Sequence, residues 1–392
     1  MEVNKGSQLS SLTPSSDKLT CALVGKLSET DDLRYHIAWT YGDYIRDIPK
    51  RIGRNNALDT AVAALVGLHS ALQLKRESQI SIPIEVLQKY AHAIKTLREY
   101  LDIPARARES ETLCAVSLLL ICSTYLGMNG SRTYHGEGAA QILRVRGYYD
   151  PQDDFEEKLL LCFRGPVLFE ALINPRIQFS PQEWKTIVEN KLDGTDRPEG
   201  MMLRCLARAP EYMRRGKIAL RERTGLPILV SDMRQQYRVL LNLLDGLRDR
   251  YLAFQQPDPA GTAARNSMSK ATIEMANHHY QRMYGFGLTI CMIFNSILKI
   301  LDRDCIDLNV DAQWFCKETL KHADEAAKYR PIGAGYVMLC LAAAWACCGD
   351  YTTQLALERL VVEYSSDFGW SPPETNDYLH QSWISLKRLE PQ

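Results

Sequence analysis

The chain has 392 residues, 46% of them hydrophobic and 24% charged, the mix of a globular protein able to bury a core without a metal or disulfide staple. Lys plus Arg and Asp plus Glu both number 47, so the formal net charge is zero. That balance argues against a dedicated nucleic-acid binder, which carries a basic excess, and against adhesion to anionic membranes.

In chain order, the opening segment is polar, Ser-rich and without an apolar core, so residues 1–29 are expected to be disordered rather than a secretory leader. Residues 30–392 then form the expected folded domain. Asn55 stands ahead of Leu58, Ala61, Val62, Leu65, His69 and Leu72, a spacing that predicts a helix behind an N-cap. Pro83 opens the next, with Leu87, Tyr90, Ile94, Leu97 and Leu101 three and four apart. Ser110 precedes a run from Leu113 to Leu126 that is apolar on most sides, the pattern of a central helix. Further helices are predicted at about 134–147, 155–173, 181–191, 199–222, 231–256, 268–302, 311–329, 332–348, 351–364 and 373–388. Pro166 should kink or split its helix, and Gly285 and Gly287 let the 268–302 stretch bend.

No two β-branched runs are joined by Asn-Gly or Asp-Gly, so no sheet is expected. The predicted class is all-α: a multi-helix, two-lobed domain of orthogonal or solenoid-like packing, divided near the loop 256–266. Ile332 to Cys348 is uncharged for 17 residues, but Ala, Gly and Cys dominate it, so a buried helix is expected rather than a membrane span.

The 11 cysteines are odd in number and include no C-x-x-C, which points to reduced, buried thiols in an intracellular protein and to no zinc site of that spacing. No cofactor or metal is expected. Asp153-Asp154-Phe155-Glu156-Glu157 matches the D-D-x-x-E that holds Mg²⁺ and diphosphate in helical cyclases, but it follows Pro151 and reads as an acidic first helical turn. His278-His279 are adjacent, about 100° apart on a helix, and read as surface histidines rather than metal ligands. His135-Gly136-Glu137 lacks the P-C-x-x-C of zinc deaminases, Gly285-Phe286-Gly287 and Gly333-Ala334-Gly335 lack a preceding strand, and no G-x-S-x-G occurs. Tyr280, Tyr284, Phe294, Trp314, Tyr336 and Trp345 concentrate aromatics in the C-terminal half. They read as core between long helices, or as the lining of an apolar ligand pocket.

Four passages together carry a resemblance: YGDYIRDIPKRIGRNNALDTAVAAL at 41–65, KYAHAIKTLREYLD at 89–102 with ESETLCAVSLLLICSTYLG at 109–127, YHGEGAAQILRVRG at 134–147, and AAKYRPIGAGYVMLCLAAAW at 326–345. In order and spacing they resemble the regulatory domain of fungal zinc-binuclear-cluster transcription factors, over roughly residues 30–390. Much of that signature is a folding signature: small residues at His135, Gly136, Gly138 and Ala139 and at Gly333, Ala334 and Gly335 would let helices approach, and Arg144, Arg146 and Gly147 would end one. The family's six-cysteine zinc head does not precede the domain here, since only Cys21 lies before residue 30; a headless relative, or a chain from which that exon is missing, is expected.

The resemblance implies a nuclear transcription regulator of a fungal metabolic or secondary-metabolite pathway, acting by sensing a small apolar ligand or by pairing with a zinc-headed transcription factor or co-regulator. The scattered basic doublets, each beside acids, predict no autonomous specific DNA binding, and no membrane partner is expected. The alternative is an enzyme or small-molecule carrier of a biosynthetic pathway that reuses the helical fold.

Overall fold

The structure is a computed structural model that describes residues 15–28, 32–78, 82–126, 132–146, 153–174, 176–188, 198–255, 269–303, 305–383 and 386. Among these, the regular elements are helices and no strand is present, so the fold is all-α. The loop expected to divide two lobes lies outside the described residues. The helices flanking it pack against each other, and the buried apolar residues from Leu23 to Leu386 join in one cluster.

The first helix corrects the reading of the opening segment. Residues 1–14 lie outside the described ones, but α1 (Ser15–Ser28) is a helix. Leu19, Leu23 and Leu27 recur every fourth residue; Leu23 is fully buried and the other two are partly buried against the core. Next come α2 (Ile37–Tyr41) and a 3₁₀ segment (Asp43–Lys50). Helix α3 (Asn56–Ser78) packs against α1, α4 (Ile84–Leu101) and, beyond the short α5 (Pro104–Ala107), the nearly all-buried α6 (Ser110–Tyr125).

The R-x-G-R-N-x-A-L-D passage proves to be the device that starts α3. Asn55 accepts from the Leu58 amide (3.0 Å) and its own amide group donates to Glu109 (2.6 Å) and Thr112 (3.1 Å). Gly53, at φ +87°, turns its N–H onto the Asp59 carboxylate. Arg51 pairs with Glu111 at 2.7 Å and with Asp153, over the face of Phe155.

Helix α7 (Arg132–Arg146) leads to α8 (Asp154–Ile173), α9 (Pro181–Val188), α10 (Pro198–Leu206) and α11 (Ala209–Glu222). The expected 199–222 helix is thus two, because Pro210 has no N–H for the Leu206 carbonyl. Pro166 does not split α8, which stays helical throughout. The close approach expected at Gly138 is absent: a Cβ there would meet nothing within 4 Å.

Two long helices, α12 (Leu226–Gln255) and α13 (Lys270–Leu301), pair along their length. Gly287 permits it, since a Cβ there would lie 3.0 Å from Leu244 Cδ1. Helix α14 (Ile306–Ala326), α15 (Val337–Cys347) and α16 (Tyr351–Ser366) complete this half, with α17 (Pro372–Asp377) and a π-helical turn (Tyr378–Trp383) after them. Residues 330–336 form turns, so α15 starts five residues later than expected. By length and composition two helices could cross a membrane, Asn56–Leu74 and Lys270–Leu301, and 83% of the second one's apolar window is buried in the protein.

Candidate functional site

The D-D-x-x-E carboxylates stand at the start of α8, where Asp153 is its N-cap, accepting from the Glu156 amide at 2.9 Å. Against partial burial, that amide and the Arg51 guanidinium hold the Asp153 carboxyl below its ordinary range. Asp153 therefore caps a helix and ties α8 to the turn before α3.

His278 departs from the surface reading: it is buried. Trp39 Nε1 donates to its Nδ1 and its Nε2 donates to the Gly333 carbonyl, both at 2.9 Å. This pattern needs the neutral Nε2–H tautomer, and burial, reinforced by the nearby Arg282 cation, lowers the imidazole to about 4. One turn on, Arg282 Nη1 donates to the carbonyls of Trp39 and Thr40, each at 2.8 Å, capping the C-terminal end of α2. His322 is bonded to the Tyr336 hydroxyl at 3.0 Å, and burial and His278 lower it to about 3. All 11 cysteines are free thiols, and burial pushes Cys162 up to about 11 and Cys340 to about 12. General acid–base work at neutral pH needs a group titrating near 7, and His278, His322, Cys162 and Cys340 are held far from it. Among the described residues, no three His, Cys, Asp or Glu side chains converge as a metal cluster.

The six aromatics singled out from the sequence do not share one pocket. Tyr284 and Tyr336 both pack on His322, with ring centroids 6.1 and 5.7 Å away. Tyr280 stacks on Phe254 at 5.0 Å, Phe294 meets Tyr212 edge-on, Trp314 lies beside Phe315, and Trp345 donates to Glu358 at 2.8 Å. They are spread through the packing of α12 to α16.

A cavity of about 380 Å³ opens elsewhere, where the N-terminal helices meet the C-terminal segment, and none of those six lines it. Helix α6 contributes Ser117, Leu120, Ile121, Ser123 and Thr124. Helix α8 contributes Cys162, Phe163, Pro166, Val167, Phe169 and Glu170. Tyr41, Tyr44 and Ala139 add to one wall, and Gly335, Met338, Leu339, Trp370, Tyr378 and Trp383 close the other.

Local chemistry shapes this wall. Pro166 withholds an N–H from the carbonyl of Cys162, one turn back. Gly42 passes Cys162 so closely that a Cβ would overlap its Sγ, and its φ of +124° suits only glycine. Tyr41 and Tyr125 join through their hydroxyls, and Tyr125 stacks on Phe368 at 5.0 Å. Tyr44 and Ser117 share a hydrogen bond of 2.8 Å, and Trp370 Nε1 donates to the Thr124 carbonyl at 3.3 Å. The buried Trp383 Nε1 has no acceptor among the described residues. No sequence period marks these positions as a set; the in-helix Pro166 and the aromatic Trp370 and Trp383 are the local signals that point to them.

Comparison with family models, with curated proteins and with solved structures finds no match to this chain.

Proposed function

We propose that this chain is a transcription-regulator-like protein of a fungal metabolic or secondary-metabolite pathway, working in the nucleus through a small apolar ligand and a zinc-headed partner. One observation carries the reading. The four separate passages that resemble fungal regulatory domains all reach the cavity wall: Tyr41 and Tyr44 from the first, Ser117 and Leu120 from the second, Ala139 from the third, Gly335 and Met338 from the fourth. A ligand seated there would touch the N-terminal and C-terminal elements together, and so bias how they pack. Specific DNA contact would come from the partner, since the neutral charge balance favours no phosphate binding by this chain.

The test is a deletion strain followed by transcript and metabolite profiling. Loss of transcripts of one biosynthetic gene group is the expected result, restored by the wild-type chain. Unchanged transcripts with an accumulated intermediate would overturn the regulator reading in favour of an enzyme or carrier.

A further inference from the structure

The cavity has a chemical signature of its own. Its volume of about 380 Å³ is near the lower end of the ~300–1,000 Å³ typical of ligand pockets, so its occupant is compact. Aliphatic and aromatic side chains together, Leu120, Ile121, Phe163, Val167, Met338 and Trp370 among them, make up most of the wall, which favours apolar surface. Glu170 stands on the wall while the Arg282 and Arg164 cations act on Cys162 there, so no one sign of charge marks the cavity for an ion. Most polar neighbours are already engaged within the protein: Tyr44 with Ser117, Ser123 and Thr124 with the Leu120 carbonyl, and Asn174 with Glu137. Trp383 is the exception. Its indole is buried, it belongs to the wall, and its N–H lacks an acceptor among the described residues. A buried donor left without an acceptor is costly, so an acceptor atom brought in by a ligand gains more there than it would on an exposed surface.

We propose that the cavity binds a compact, uncharged, mainly apolar molecule carrying one hydrogen-bond acceptor, such as a ring ketone, whose oxygen docks on the Trp383 indole N–H. This rests on the ligand-binding reading above and adds the chemical class of the ligand.

The experiment compares two probes of nearly equal shape, 1-tetralone and tetralin, titrated calorimetrically against the full chain. The ketone is expected to bind about five- to tenfold more tightly, the worth of one added hydrogen bond. Trp383→Phe keeps the aromatic wall but removes the donor; it should bring the ketone down to the hydrocarbon's affinity and leave the hydrocarbon unchanged. Trp370→Phe, whose indole is already bonded to Thr124, should preserve the ratio. Equal binding of the two probes by the wild-type chain would overturn the proposed acceptor while leaving the cavity a ligand site. A ratio that survives Trp383→Phe would overturn the assigned donor. Binding of neither probe would overturn this proposal and the ligand-binding reading together.

Discussion

Gly42→Ala should destabilise the protein by about 4 kcal/mol, through two separable effects. The backbone at Gly42, φ +124° and ψ +155°, lies in a region that side chains enter at a cost of about 1–3 kcal/mol. The new methyl would also overlap Cys162 Sγ and come within 3.2 Å of both Cys162 Cβ and Tyr44 Cδ1. Overpacking of that kind costs about 1–3 kcal/mol more. Cys162→Ala removes the sulfur and leaves a small void, for a loss of about 1 kcal/mol. In the double variant the methyl occupies space the sulfur vacated, so the combined loss should fall short of the sum by about 1–2 kcal/mol. Urea unfolding followed by far-UV circular dichroism reads all four corners of the cycle. A Gly42→Ala loss below about 0.5 kcal/mol, the level of an indifferent surface change, would refute the backbone argument. Strict additivity would refute the contact with Cys162.

Leu23→Ala should cost about 3 kcal/mol in the same assay, since Leu23 is fully buried under α3; a loss near zero would detach α1 from the core. Asn55→Ala removes the α3 cap and leaves Glu109 and Thr112 without their shared donor, for about 2 kcal/mol, while Asn55→Asp should restore the cap but repel Glu109. His278 and His322 are neutral in the folded chain, lowered to about 4 and 3 from 6.5. Their contribution is complete above pH 6.5 and is lost as pH falls toward about 4 and below, because the unfolded chain takes up the protons first. The urea midpoint should therefore drop between pH 6.5 and 4, and the drop should be shallower in His278→Gln; a midpoint indifferent to pH there would contradict the buried neutral tautomer.

Local features were legible in the sequence. The Asn55 cap, the three-and-four spacing behind it and the all-round apolar run from Leu113 each specify a helix through neighbours a turn away. Helix ends were less so where exposed apolar residues blur the pattern: Ile228 is 74% exposed at the start of α12, and Ile306 is 76% exposed at the start of α14, and each helix begins about five residues before the predicted start. The late start of α15 has a tertiary cause. A Cβ at Gly333 would overlap the Leu33 carbonyl, and Ile332 and Gly333 donate to the Arg34 carbonyl, so that apolar stretch is shaped by a segment some 300 residues earlier. The burial of His278 had a signal that adjacency with His279 masked: 278, 281, 285, 288 and 292 follow one face of α13, and all five are buried. The cavity is non-local in the same sense. Six separate stretches supply its walls, and within them only the in-helix Pro166 and the aromatic Trp370 and Trp383 hint at it.

The bonds from Trp39 to His278 and from Arg282 back to Trp39 and Thr40 also set a timetable for the nascent chain. They join residues about 240 positions apart, the Trp39–His278 bond spanning 239. At about 5–20 residues per second, a ribosome that has delivered Trp39 needs on the order of ten to fifty seconds to deliver its partner. Through that interval the 3₁₀ segment can pack on α8 and Tyr44 can bond Ser117 of α6, but the indole and the end of α2 lack their partners on α13. Codon choice along residues 40–280, and the supply of chaperones that hold exposed apolar surface, thereby become determinants of how much of this protein reaches its folded form.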